Sequence, residues 1–416
     1  MQTRLGKRFW TAMLVFGLMG QIAWVVENMY FNVFIYKMFH ASAADISSMV
    51  MASAVVAALT TIIMGAVSDK VGRRKAFMSV GYIIWGLSII SFAYIGNVFL
   101  TIVMDCVMTF FGSTANDAAY NAWLTDRGDE TNRGKIEGFN SMMPLVSILV
   151  VFGGFMGFDL DEHSSWTAIY YIIGAATAVI GIIGWFLIED APDLKKSTQP
   201  IGEVLAYSFR PLTIRENWEL YAILGAFAVF GISIQVFMPY LIIYYEQTLQ
   251  MPDYVLIMAP AIILAAVVTA FYGRVYDRKG FFFSIVPVMA MLMGGYVLLF
   301  FFTGTAPVFI GSLLMMSGYL TGMSVFGAKI RDLIPENRAG QFQGVRIIGQ
   351  VFIPGLIGPF IGSAVLRNAE VITNSDGTTS FLPNKSIWLA AFIVAVILCL
   401  VMEIIRRITE QRKAQA

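Results

Sequence analysis

Charge is scarce in this 416-residue chain. Asp, Glu, Lys and Arg together make up 13% of it, against roughly 25% in a soluble globular domain. Histidine is scarcer still. His40 and His163 stand far apart in polar connectors, so a zinc or histidine-based catalytic centre has almost no raw material. The two cysteines, Cys106 and Cys399, each lie inside an apolar run and form neither a disulfide framework nor a metal pattern. Net charge is +1, so no bulk field points to a nucleic-acid partner. No nucleotide-binding loop, nucleophile–base constellation or sizeable soluble stretch is present. The sequence therefore reads as a non-enzyme with no metal and no organic cofactor.

What fills the chain is apolar. Hydrophobic residues make up 58% and the mean hydropathy over the full length is +0.72, so the excess is not one anchor on a soluble body. A membrane-crossing helix needs roughly 20 apolar residues. Twelve runs qualify, at about 9–38, 46–67, 76–96, 98–123, 136–158, 167–188, 218–246, 253–273, 281–303, 307–328, 341–366 and 386–405. The basic start, apolar run and Ala41-Ser42-Ala43 imitate a signal peptide. That run, however, is about twice the ~7–15-residue core of one and contains Glu27, Asn28 and Asn32, so it reads as a retained first span. With both termini placed on one side, that side collects all but three of the 28 Lys and Arg, the exceptions being Lys37, Arg367 and Lys385. The positive-inside rule then makes both termini cytoplasmic. The expected location is a multi-pass protein of the plasma (inner) membrane, with the lipid bilayer as its solvent.

The chain also repeats itself. Residues 65–72 read GAVSDKVG and residues 273–280 read GRVYDRKG, an offset of 208 in 416. Gly65, Asp69 and Gly72 return as Gly273, Asp277 and Gly280, and Lys70 returns as Arg278. After the fourth helix of each half, Asp126, Glu130, Gly134 and Gly138 return as Asp332, Glu336, Gly340 and Gly344, at offset 206. Two such matches at equivalent topological positions make the chain two six-helix halves in parallel repeat. The expected organisation is an N-terminal bundle over 1–188, a central cytoplasmic loop over 189–217 and a C-terminal bundle over 218–416. The fold class is all-α, with two pseudo-symmetric six-helix bundles.

The run from Gly65 to Lys75, with Asp69, Lys70, Gly72, Arg73 and Arg74 in place, resembles the loop 2–3 motif of the major facilitator superfamily. That resemblance implies a solute transporter working by alternating access around a central cavity, functional as a monomer, with the motif and its loop 8–9 copy (Gly273, Asp277, Arg278, Gly280) as a gate. In physical terms, Gly65 allows close helix approach and Gly72 a tight reversal. Asp69 can pair with Arg73 or Arg74, or sit against a helix N-terminus. A narrower likeness is carried by Asn116-Asp117-Ala118-Ala119-Tyr120-Asn121-Ala122-Trp123 and by Gln341-Phe342-Gln343-Gly344-Val345-Arg346, which resemble glycoside–pentoside–hexuronide:cation symporters. In that family the equivalents of Asp117 and Tyr120 contribute to sugar and cation binding. This chain departs from the pattern in having no acid between Ile46 and Val67, and Ala119 and Asn121 replace the usual Pro and Trp. These departures weaken a sodium site and favour a proton as coupling ion.

Carboxylates at membrane depth are costly and mark ion or substrate paths. At about 100° per residue, Gln21, Trp24, Asn28 and Asn32 share one stripe of helix 1, with Glu27 at its edge. Asp105, Thr109, Ser113, Asn116 and Tyr120 share a stripe of helix 4, with Asp117 at its border. Asp105 reads equally as a gate or packing group. The candidate substrate and ion residues are Gln21, Trp24, Glu27, Asn28, Asn116, Asp117, Tyr120 and Gln235, the last being the counterpart of Glu27 at offset 208. The function expected is secondary active transport of a small polar solute, foremost a sugar or glycoside, by proton- or cation-coupled symport. The alternative is a multidrug or metabolite exporter of the same superfamily. The Gly-Pro-x-x-Gly pattern of some proton-linked antiporters is missing from helix 5; its only copy, Gly358-Pro359-Phe360-Ile361-Gly362, reads as a bend and packing element of helix 11.

Overall fold

The computed structural model describes residues 5–128, 132–191, 209–334, 339–374 and 377–415. Among these residues, twelve helices are long and apolar enough to cross a membrane. They are α1 Lys7–Phe39, α2 Ala43–Val71, α3 Arg74–Tyr94, α4 Val98–Arg127, α5 Gly138–Phe155 and α6 His163–Leu187, followed by α7 Trp218–Thr248, α8 Tyr254–Lys279, α9 Phe281–Phe301, α10 Thr305–Leu333, α11 Gly344–Val365 and α12 Ser386–Arg412. Each covers one of the twelve apolar runs. The connector before α12 holds a short antiparallel hairpin, β1 Val371–Thr373 with β2 Thr379–Phe381, pairing Ile372 with Ser380. Most of the expected central loop, together with Glu130 and Glu336 of the second repeat, lies outside the described residues, as do the side chains of Gln341 and Gln343.

Contacts divide the chain into two compact units, one of Met1–Ala41 with Ala52–Ile201 and the other of Ser42–Met51 with Gly202–Ala416. The first ten residues or so of α2 thus group with the second unit, where the Tyr240 hydroxyl donates to the Ala43 carbonyl at 2.9 Å.

Without a hydrophobic drive between helices in lipid, close backbone approach supplies the packing energy. In the first unit this happens along α3 and α6. A Cβ on Gly86 would fall 2.3 Å from the Gly174 carbonyl oxygen, and one on Gly181 2.7 Å from that of Ser79. In the second unit, Gly295 and Gly318 bring α9 and α10 together in the same way. The Gly358–Gly362 segment of α11 packs on α7. A Cβ on Gly358 would lie 2.4 Å from the Gln235 Cβ, and one on Gly362 2.3 Å from the Val236 carbonyl.

Several spans leave α geometry at polar positions. α1 widens to a π-turn over Val26–Tyr30, α4 over Ser113–Tyr120 and α11 over Ile348–Phe352. Just past the position equivalent to the α1 turn, α7 is interrupted by a tighter 3₁₀ segment, Met238–Tyr240, which contains Pro239, and it widens to a π-turn of its own at Tyr244–Thr248. Such π-bulges insert one extra residue into a turn and are frequent at functional sites.

Candidate functional site

The polar heart of the first unit lies where the π-turn of α1 meets the stretch of α4 that precedes the π-turn of α4. Glu27 is buried and accepts a hydrogen bond from the Thr109 hydroxyl at 2.8 Å. One turn earlier on α4, Asp105 is 1% exposed and accepts from Ser53 of α2. The two carboxyls are within electrostatic reach of each other, and Glu27 Oε2 and Asp105 Oδ1 have no hydrogen-bond partner among the described residues. A buried acid with half its valence unmet is a high-energy arrangement. Chemically, such a pair of carboxyls can take up a proton or a small cation.

The helical stripes read from the sequence are redistributed by the π-turns. With Glu27 turned inward, Asn28 is exposed and its amide donates to the Trp24 carbonyl at 2.8 Å, while buried Asn32 donates to the Asn28 carbonyl at 2.9 Å. On α4, Asn116 and Tyr120 are spent on packing rather than left for a solute. Asn116 donates to the Tyr82 hydroxyl at 2.8 Å and accepts from Trp24 Nε1 at 3.4 Å. Tyr120 is 2% exposed and its hydroxyl donates to the Met13 carbonyl at 3.0 Å, so its ring offers no free face for a sugar. In this structure both residues of the expected substrate set lie inside the unit. Asp117 remains half-buried beside exposed Asn121, whose amide donates to the Asp117 carbonyl at 3.0 Å. Gln21 and Trp24 are also half-buried. The open polar set of the first unit is thus Gln21, Trp24, Asn28, Asp117 and Asn121. Gln235 is half-buried on α7 in the second unit.

The loop motif is built as its spacing implies, with one departure. Gly72 and Gly280 both adopt left-handed backbone, at φ 67° and 74°, which a Cβ would strain. Arg74, not Arg73, turns inward: it is 4% exposed, its Nε donates to Asp126 Oδ2 at 2.8 Å, and it also bonds Asp69 and Ser68. Arg73 is exposed. The close helix approach expected at Gly65 is absent, since a Cβ there, or at Gly273, would meet nothing within 4 Å. In the second copy, Asp277 and Arg278 are exposed, and the internal bond runs instead from the Tyr276 hydroxyl to Asp332 at 2.5 Å.

Sequence reasoning missed two residues at the exit of α6. The Asp190 carboxylate accepts from the backbone N–H groups of Arg74 and Lys75 at 2.8 and 2.9 Å, capping the N-terminus of α3. Glu189 accepts from Trp123 Nε1 at its carbonyl, at 2.8 Å, and its carboxylate pairs with Arg8. These contacts tie the ends of α1, α3, α4 and α6 together. An acidic pair directly after an apolar run was the available signal.

Comparison with known proteins fits this geometry. The profile of the Major Facilitator Superfamily matches residues 9–359. The chain belongs to the major facilitator superfamily. Among curated relatives, it is 26% identical over 186 residues to Sugar efflux transporter B of Salmonella typhimurium, which is 44% of this chain and 47% of that one. It is 24% identical over 200 residues to Sugar efflux transporter C of Escherichia coli, covering 48% and 50%. The matches thus span about half the length of these relatives. Among solved structures, it superposes on the nucleoside transporter NupG with TM-score 0.71 at 13% identity, covering 95% of this chain and 98% of that one. It also superposes on a bacterial homolog of the human lysosomal transporter Spinster, inward-facing and occupied, with TM-score 0.73 at 15% identity, covering 97% and 98%. At these identities the structural likeness concerns the fold alone.

Proposed function

We propose that this superfamily transporter moves a sugar or glycoside by alternating access, and that Glu27 carries the coupling ion, foremost a proton. The observation that carries the reading is buried Glu27, bonded by Thr109 on one oxygen and without a partner among the described residues on the other. The open amides and carboxylate of Gln21, Asn28, Asp117 and Asn121, beside the Trp24 ring, supply the hydrogen bonds and flat apolar face that a sugar requires. Neutralising Glu27 removes the cost of enclosing a charge when the site closes around its solute. The loop motifs, with Arg74 holding Asp69 and Asp126, act as the gate.

Direction has two readings. The missing antiporter pattern in α5 favours symport. The relatives, both named sugar efflux transporters, favour export. Uptake of a panel of labelled mono- and disaccharides into proteoliposomes, under imposed proton or sodium gradients of either sign, tests the proposal. Accumulation of one sugar that depends on one gradient supports it, and the sign of the effective gradient separates symport from export. Failure of every sugar under both gradients overturns the substrate reading.

A further inference from the structure

We propose that the first unit holds a site for an anionic phospholipid, with an acyl chain in the groove between α2, α3 and α4 and the headgroup phosphate on Arg73. The groove has a volume of about 290 Å³ and is lined chiefly by Met64, Phe77, Val80, Ile84, Phe110 and Phe111. Its one hydroxyl, Thr114, donates to the Phe110 carbonyl at 2.7 Å and so leaves the groove without a free hydroxyl donor. Val80 and Phe110 are 44% and 39% exposed, so the groove opens sideways from helices that cross the membrane. What reaches such an opening is lipid.

Length and charge identify which part of the lipid goes where. Phe77, Val80 and Ile84 follow one stripe of α3, and Arg73 stands one turn before them as the extended N-cap residue of that helix. From Arg74, where the helix begins, to Ile84 the rise is roughly 15 Å at 1.5 Å per residue, about half of the ~30 Å hydrocarbon core. That is the depth of one leaflet. At the polar end the nearby acids are already engaged: Asp69 and Asp126 by Arg74, and Asp190 by the N–H groups of Arg74 and Lys75. Lys70 and Arg73 are exposed and form no ion pair among the described residues. A guanidinium matches a phosphate in two-point geometry, and the second cation favours a headgroup of net negative charge. The consecutive arginines thereby divide their work, Arg74 inward to the acids and Arg73 outward to the bilayer.

Native mass spectrometry of the purified full chain, titrated with phosphatidylglycerol or phosphatidylcholine, tests the site. The wild type is expected to retain one phosphatidylglycerol about tenfold more strongly than phosphatidylcholine, the scale of one charge-assisted contact. Arg73→Gln, which removes the phosphate contact, is expected to weaken retention of both lipids, and Lys70→Gln, which removes the second cation, to bring the two lipids to parity. Val80→Trp, which fills the groove, is expected to lose the tightly held lipid of either headgroup, with an unchanged gel-filtration profile confirming the fold. Equal retention of both lipids by the wild type, unaltered retention in Arg73→Gln, or an unaltered preference in Lys70→Gln, would overturn the proposal. So would a folded Val80→Trp protein that keeps its lipid.

Discussion

The two copies of the loop motif keep the same glycines and acids yet are wired differently. In the first, Arg74 is buried among Ser68, Asp69 and Asp126, and Asp190 caps the helix on which it sits. In the second, Phe282 stands at the position equivalent to Arg74, Tyr276 replaces Ser68, and a single phenol–carboxylate bond to Asp332 serves where an ion network served before. The same contrast recurs in the first helix of each half: Glu27 in a π-turn of α1, and Gln235 beside a proline-broken segment of α7. At these equivalent positions the chain keeps the backbone requirement in both halves and the buried charge in the first. The glycines are retained because positive φ is a constraint of the turn itself. The charges are not, because each has to be compensated by partners.

The contrast can be broken most severely at Arg74. Arg74→Met leaves Asp126 without its cation and is expected to cost about 3 kcal/mol, the low end for a broken buried pair since Asp69 is half exposed. Tyr276→Phe in the second copy is expected to cost about 1 kcal/mol, the net worth of one hydrogen bond. Thermal unfolding in detergent, with both variants measured side by side, checks the difference, and equal losses would erase it. Next in size is glycine packing. Gly86→Ala forces a methyl onto the Gly174 carbonyl and is expected to cost roughly 1–3 kcal/mol. Gly65→Ala faces open space in this structure and is expected to stay within about 0.5 kcal/mol of wild type. The smallest contrast lies between the two turn glycines. Gly72→Ala should cost about 1 kcal/mol, and Gly280→Ala about 2 kcal/mol, because Gly280 pairs φ 74° with ψ 179°, a region adopted by little else than glycine. Equal losses at the two positions would erase that difference.

Most of the fold was legible in the sequence because bilayer thickness sets helix length so strictly. Twelve apolar runs, the charge asymmetry and the offset repeat led to twelve spans with little freedom left. The site was legible in kind but not in register. A constant 100° per residue placed Asn28 on the polar stripe and Glu27 at its edge, whereas the π-turn over Val26–Tyr30 turns Glu27 inward and leaves Asn28 exposed. The same widening in α4 hides Asn116 and Tyr120. No composition rule announces a π-turn, since the extra residue is tolerated by tertiary contacts. Asp105 was visible as an acid, but its nearness to Glu27 depends on how α1 and α4 dock. The caps by Glu189 and Asp190 escaped for a similar reason: their partners lie more than a hundred residues away in α3, or across in α1 and α4.

The claim that binds these observations is that the first half carries the coupling charge. Gradient-driven sugar accumulation in proteoliposomes, compared between wild type and Glu27→Gln, tests it most directly, with Gln235→Ala as the matched change in the other half. The account predicts that Glu27→Gln still equilibrates the sugar across the vesicle but no longer concentrates it, while Gln235→Ala retains the gradient dependence. Undiminished accumulation by Glu27→Gln would contradict it.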